Sequence, residues 1–235
     1  MVILALESSA QSASAAVVKD GKVLSSMHLN VGLTHSVTLL PLVKQAVEGA
    51  ELTVSDIDAV AVTNGPGSFT GVRIGVATAK GIAQPERKKC VPVSTLEAIA
   101  YPLAGSGCIA AAVMDARCSQ VYCALFDCGE GFVRLTEDDA FSFDTLLGKI
   151  SDFDKKVVLI GDGADIAFAY LRDKTENVRR ASPLFVYQTA ASAALIAEQR
   201  LENNENILTP DRLAPSYLRL PQAERELKKK KESES

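Results

Sequence analysis

The chain is 235 residues long, enough for one large or two small domains with a sizeable core, which excludes a disulfide-stapled mini-protein. Its 47% apolar and 23% charged residues are those of an ordinary globular protein and exclude a disordered one. A net charge of -4 supplies no general field for gripping a nucleic-acid backbone, and two histidines, His28 and His35, exclude a His-rich metal site.

The opening residues, 1–6, are apolar and stop at Glu7, too short for a secretory signal, so they read as a buried strand. A second strand over 13–19 and a third over 22–29 flank Asp20-Gly21, the residue pair of a tight hairpin turn. The spacing of Leu39, Leu40, Val43, Ala46, Val47 and Ala50 predicts an amphipathic helix over 34–50, loosened in its first turns by Pro41. A strand over 58–63, the turn Gly65-Pro66-Gly67 and a helix over 69–83 follow.

The second half repeats this order. An apolar strand from Cys108 ends in Asp115; segments 120–127 and 131–136 pair across Gly129; a short helix covers 143–150; a strand over 157–160 ends in Gly161-Asp162-Gly163, and a helix runs on to Leu171. Glu7 precedes Gly21, and Asp115 precedes Gly129, by the same interval, which argues for internal duplication. The boundary is expected near 102–107, giving lobes over 1–104 and 105–220. A helix over 187–201 is free to pack on either lobe, and 221–235, with Lys228 to Lys231, reads as a solvated tail. No apolar run reaches the roughly 20 residues that cross a bilayer.

The five cysteines, Cys90, Cys108, Cys118, Cys123 and Cys128, contain no C-x-x-C pair and read as reduced thiols of a cytosolic protein, with a Cys118–Cys123 redox pair as the alternative. In the stretch from Gly65 to Arg73, Gly65 and Gly67 let the backbone turn sharply and Ser68 can cap the next helix, so the loop reads equally as a phosphate cradle or as a compact turn. Glu7, Asp115 and Asp162 would either converge on a cleft and hold Mg²⁺ through water or bind backbone N–H groups at strand ends. Ser8 and Ser9 lack the His-Asp context of a nucleophile. Gly71, Gly75, Ala79 and Ala83 form a ridge of small residues, read as packing against the preceding helix or against a helix of another subunit. His35 has Leu39, not a second ligand, one turn later, so it reads as a capping or interface residue.

The duplicated halves with acidic first-strand ends resemble the actin, hexokinase and Hsp70 ATPase superfamily, which implies an α/β, actin-like (ribonuclease H-like) fold of two mixed-sheet lobes with flanking helices. More narrowly, the opening from Ile3 to Ser9, the helix start from His35 to Pro41 and the string from Gly65 to Gly75 resemble the TsaB, or YeaZ, family. The resemblance implies a cytoplasmic, non-catalytic subunit supporting formation of N6-threonylcarbamoyladenosine beside the tRNA anticodon. It would pair with a TsaD-like catalytic subunit and a TsaE-like ATPase, form a homodimer when alone, and meet tRNA only through the complex. It places the contact on the first two helices: His35, Leu39, Leu40, Val43 and Val47 on one, Gly71, Val72, Gly75, Val76, Ala79 and Ala83 on the other. It implies no catalytic residue, no metal and no cofactor beyond weak ATP or ADP with Mg²⁺ at the partner contact, with Glu7, Ser8, Gly65, Gly67, Ser68 and Arg73 as the loop for it. The alternative is a stand-alone actin-fold ATPase or sugar-kinase-like enzyme. Glu7 stands where relatives usually have Asp, and the lysine-rich tail is outside the resemblance.

Overall fold

The computed structural model describes residues 1–116 and 120–218; Cys118 and the charged tail lie outside them. The first half runs β1 (Val2–Glu7), β2 (Ala13–Lys19), β3 (Lys22–Leu29), α1 (His35–Gly49), β4 (Ala59–Gly65), α2 (Phe69–Ala83), β5 (Lys89–Ser94) and α3 (Thr95–Ala100). Its sheet has the order β3-β2-β1-β4-β5, antiparallel through β3, β2 and β1 and parallel through β1, β4 and β5. The second half runs β6 (Ile109–Asp115), β7 (Gln120–Asp127), β8 (Val133–Arg134), β9 (Asp139–Ser142), α4 (Phe143–Ile150), β10 (Val157–Ile160), α5 (Ala164–Leu171), β11 (Val178–Arg180) and α6 (Ala190–Glu202). Its sheet, β11-β10-β6-β7-β8, is the first one read from the other edge, with the same directions between equivalent strands and with β9 added on β7. The repeated spacing of acid and hairpin glycine is thus a repeated topology.

Strands β5, β9 and β11 and helix α3 carry weak sequence signals. Pro92 interrupts the apolar run of β5, and it is tolerated because β5 is the edge of its sheet. Strand β11 has three residues, too few for a period to show. Helix α1 continues through Pro41 without a break, and its buried stripe is Leu39, Leu42, Val43, Ala46 and Val47. Leu40, expected in that stripe, points outward and is 59% exposed.

Alternation along β1 assigns each face of the first sheet. Leu4 and Leu6 join α1 and α2 in one core, while Ile3 and Ala5 face the other way onto α6. Because both faces are covered, the strand reads as continuously apolar, with each fully buried leucine or isoleucine contributing about 1.5–3 kcal/mol. The second sheet is built likewise, with α4 and α5 on one face and α3 on the other. The last helix of each half therefore crosses over. Leu96 and Ile99 of α3 pack on the second sheet, and Ala190, Ala193, Ala194 and Ala197 of α6 pack on the first. A cut at residue 104 divides the sheets but separates each from a helix that covers it.

Candidate functional site

The parallel strands of the first sheet end at Glu7, Gly65 and Ser94, and the turn after β1 is the hub of this end. Glu7 is 0% exposed. Its Oε1 accepts the Ser9 N–H at 2.6 Å, the Ser9 hydroxyl at 2.6 Å and the Gln188 amide at 3.2 Å. Ser9 in turn accepts the Ser68 N–H on its carbonyl at 2.6 Å, and Ser8 donates its hydroxyl to the Gly71 carbonyl at 2.9 Å. A β-carbon on Gly67 would lie 2.2 Å from the Ser9 carbonyl oxygen, and one on Gly65 2.1 Å from that of Ser216, so both glycines permit close backbone approach. That approach is made by the chain itself. Ser68 does cap α2, accepting the Gly71 N–H at 3.3 Å.

The compact-turn reading accounts for these contacts. Ser216 and Ser9 occupy the β-carbon sides of Gly65 and Gly67, Arg73 donates to the Tyr217 hydroxyl at 2.8 Å while lying 4.0 Å from the centre of the Phe69 ring, and Gly65 also lines an open cleft. The acids do not converge. Glu7 is sealed in, and Asp162 accepts the Asp115 backbone N–H at 3.2 Å. Burial pushes the Asp162 carboxyl up from its ordinary value. Among the described residues no three His, Cys, Asp or Glu side chains gather as a metal site. His35 donates from Nε2 to the Ala10 carbonyl at 2.7 Å and so ties the start of α1 to the same turn. His28 is an exposed strand histidine near Tyr187.

The small-residue ridge meets a neighbour besides the expected helix α1. Gly71 and Gly75 face Ser8 and Val62, with β-carbon positions 2.1 Å from the Ser8 carbonyl oxygen and 2.6 Å from its hydroxyl. The ridge lets α2 settle on the turn after β1 and on its own sheet, and it also meets α1: the Gly71 β-carbon position lies 3.2 Å from the His35 ring, and Ala79 and Ala83 share a core with Leu39 and Val43. Leu39, Val43, Val47, Val72, Val76, Ala79 and Ala83 are buried in the same core, so they do not form an outer surface. Among the residues expected at the contact, Leu40 is exposed and His35 partly so. Leu40 continues an apolar strip that the sequence reading missed: Val31, Leu33 and Val37 are 59–63% exposed. Val37 and Leu40 are one turn apart on one face of α1. On the adjoining helix, Ala77 and Gly81 are exposed.

The lobes are joined by a charged network. Glu97 of α3 accepts from Arg200 of α6 at 2.5 Å and lies 3.6 Å from Arg134 of β8; Arg134 bonds Asp138 at 2.6 Å, and Asp138 accepts the Ser94 hydroxyl at 2.6 Å. These groups line an open cleft of about 530 Å³ together with Arg212 and Ser216. Their signs balance within the network. The described cysteines are buried, and burial pushes the thiols of Cys90 and Cys128 up to about 11 and about 12 and that of Cys123 higher still, which suppresses the reactive thiolate. Gln188 and Tyr217 are site residues that carry no periodic signal: each sits in an irregular segment and acts on a distant element, Gln188 on the end of β1 and Tyr217 on Phe69 and Arg73 of α2.

The family model described as TsaD, tRNA N6-adenosine threonylcarbamoyltransferase, matches residues 30–227. The chain is 26% identical over 226 residues to the tRNA threonylcarbamoyladenosine biosynthesis protein TsaB of Bacillus subtilis, covering 95% of this chain and 96% of that one. It is 36% identical over 127 residues to TsaB of Escherichia coli, covering 53% and 54%. The solved structure of YeaZ from Pseudomonas aeruginosa superposes with a TM-score of 0.79 at 23% identity, over 92% of this chain and 99% of that one. With its duplicated mixed sheets, the chain belongs to the TsaD family of actin-like proteins, in the TsaB, or YeaZ, branch.

Proposed function

We propose that the protein is a non-catalytic subunit in the biosynthesis of N6-threonylcarbamoyladenosine in tRNA, pairing with a TsaD-type transferase through the outer face of α1 and α2. The observation that carries this reading is the exposed strip Val31, Leu33, Val37 and Leu40, beside small exposed residues of α2, in a chain similar to biosynthesis proteins of that name. Exposed apolar residues grouped in this way mark an interaction surface. The same face pairs two copies when no partner is present, a TsaE-type ATPase joins the assembly, and tRNA is held through the transferase, in keeping with a net charge of -4. The cytoplasm is the compartment that such a role requires. Against a stand-alone ATPase or sugar kinase stand the close backbone packing at Gly65 and Gly67 and the sealed Glu7.

The test is affinity for the TsaD-type transferase of the same organism, measured by calorimetry on Val37→Asp and Leu40→Asp. Both side chains are exposed, so stability should stay within about 0.5 kcal/mol of the parent. A charge at the centre of an apolar contact should weaken binding by about tenfold or more. Parental affinity in both variants would refute the docking face. Turnover of ATP by the isolated chain would refute the non-catalytic reading.

A further inference from the structure

Cys108 and Cys128 stand opposite one another at one end of the β6–β7 pair. The strands pair Ile109 with Asp127, and the register runs one step further: the Cys128 N–H donates to the Cys108 carbonyl at 2.9 Å. The Gly107 N–H donates to the Cys128 carbonyl at 2.8 Å, and Gly107 has a φ of 77°, so residues 107 and 108 together face Cys128 in a glycine bulge. Both thiols lie on the same face of the sheet, in the core that α3 covers with Leu96 and Ile99. Opposed residues of an antiparallel pair have Cα atoms about 4.5–5.5 Å apart, inside the range of about 4.4–6.8 Å that a disulfide spans.

The other described cysteines cannot compete. Cys123 lies on β7 with its side chain on the opposite face, in the core under α4 and α5, and Cys90 belongs to the first sheet. Within the pair the two sulfurs differ. Cys108 follows the exposed residues 104–107, is 7% exposed and has the Ser106 hydroxyl 3.1 Å from its sulfur, where it can donate to a thiolate; Cys128 is 0% exposed. Burial first, and then the Cys108 thiol beside it, push the Cys128 thiol up to about 12. An oxidant therefore meets Cys108 first, with Cys128 behind it.

We propose that Cys108 and Cys128 form an oxidation site, a thiol pair that closes to a disulfide when Cys108 meets a hydroperoxide. The Cys108 thiolate attacks one peroxide oxygen, an S–O bond forms as the O–O bond breaks, and the released hydroxide takes up the thiol proton as water. The Cys128 sulfur then attacks the Cys108 sulfenic sulfur; the S–S bond forms as the S–O bond breaks, and the Cys128 proton leaves with the hydroxyl as a second water. One peroxide gains the two electrons that the two thiols lose. The bond fastens the end of the interlobe linker to the end of β7, and an external dithiol reverses it by exchange. Neither sulfur belongs to the helices of the proposed docking face, so the inference is independent of that reading.

The test exposes the native, fully reduced chain to hydrogen peroxide and reads intact mass, then maps the linked residues by tandem mass spectrometry without reduction. The expected product is about 2 Da lighter, carries one disulfide within the chain, between Cys108 and Cys128, and regains its mass in dithiothreitol. Cys108→Ala and Cys128→Ala should both lose that product, and Cys118→Ala should keep it. With a sulfenic-acid trap present, Cys128→Ala should be labelled at Cys108, whereas Cys108→Ala should carry no label at Cys128; the reverse pattern refutes the assigned order of attack. A disulfide mapped to Cys118 and Cys123, a disulfide between two chains, or sulfinic and sulfonic acids formed in place of a disulfide would each overturn the proposal. So would a chain that keeps its thiols while a peptide thiol in the same solution is oxidised. Should either alanine variant fail to fold, the mapped disulfide of the parent still decides.

Discussion

Two glycines of α2 should respond to alanine in opposite directions. At Gly81 an added β-carbon would meet nothing within 4 Å, so Gly81→Ala gains helix propensity alone, about 1 kcal/mol. Gly71 has the same propensity to gain, but its β-carbon would lie 2.1 Å from the Ser8 carbonyl oxygen and 3.2 Å from the His35 ring. The carbonyl cannot step aside cheaply, because Ser9 is held by Glu7 at 2.6 Å and Ser68 hangs from Ser9. Overpacking of a tight core costs about 1–3 kcal/mol, and displacing α2 adds the Ser8–Gly71 hydrogen bond at about 1 kcal/mol. After the propensity gain, Gly71→Ala should lose about 1–3 kcal/mol net. For a domain of this size 1 kcal/mol shifts Tm by about 2–4 °C, so calorimetric melting should place Gly81→Ala slightly above the parent and Gly71→Ala several degrees below. A Gly71→Ala protein as stable as Gly81→Ala would refute the claim that the ridge exists to seat α2 on the Ser8 turn.

Glu97→Gln keeps the shape of the side chain but leaves Arg200 and Arg134 without their shared carboxylate. With Glu97 14% and Arg200 20% exposed, the loss should be about 1–3 kcal/mol, read as a lower urea midpoint, and a change under about 0.5 kcal/mol would show that the network does not hold the lobes. The Lys155 ammonium beside Asp127 holds that carboxyl below its ordinary value. Its contribution is present at neutral pH and is lost as pH falls through the lowered value, so Asp127→Asn should flatten the acid limb of the stability profile; an unchanged limb would discount the pair.

What could be read from the residues depended on whether the signal was local. The strands and helices around Asp20-Gly21 and Gly65-Pro66-Gly67 announce themselves through turn chemistry and period, and the second copy repeats them in the same order. The crossing of α3 and α6 does not, because an alanine-rich face fits either sheet and only the folded chain shows which one receives it. Leu40 fell in the helical stripe because it is apolar, yet Thr38 and Leu42 are buried where Leu40 is not. An apolar residue on an exposed helix face reads in the sequence like one in the core.

The glycine ridge makes the same point about the site. Small residues at every fourth position report that something lies close, and they say nothing of what it is. Here the close neighbour is the turn after β1, and its presence decides the chemistry. Ser9 and Ser216 pack on the β-carbon sides of Gly67 and Gly65, and the Glu7 carboxyl is engaged by Ser9 and Gln188, so these groups are spent on holding the turn. The same contacts anchor α2 from below, leaving Val37, Leu40 and Ala77 uncovered on the outer side of the helix pair. A ligand cradle and a rigid support are alternative uses of one strand-end turn, and in this chain the hydrogen bonds are committed to support.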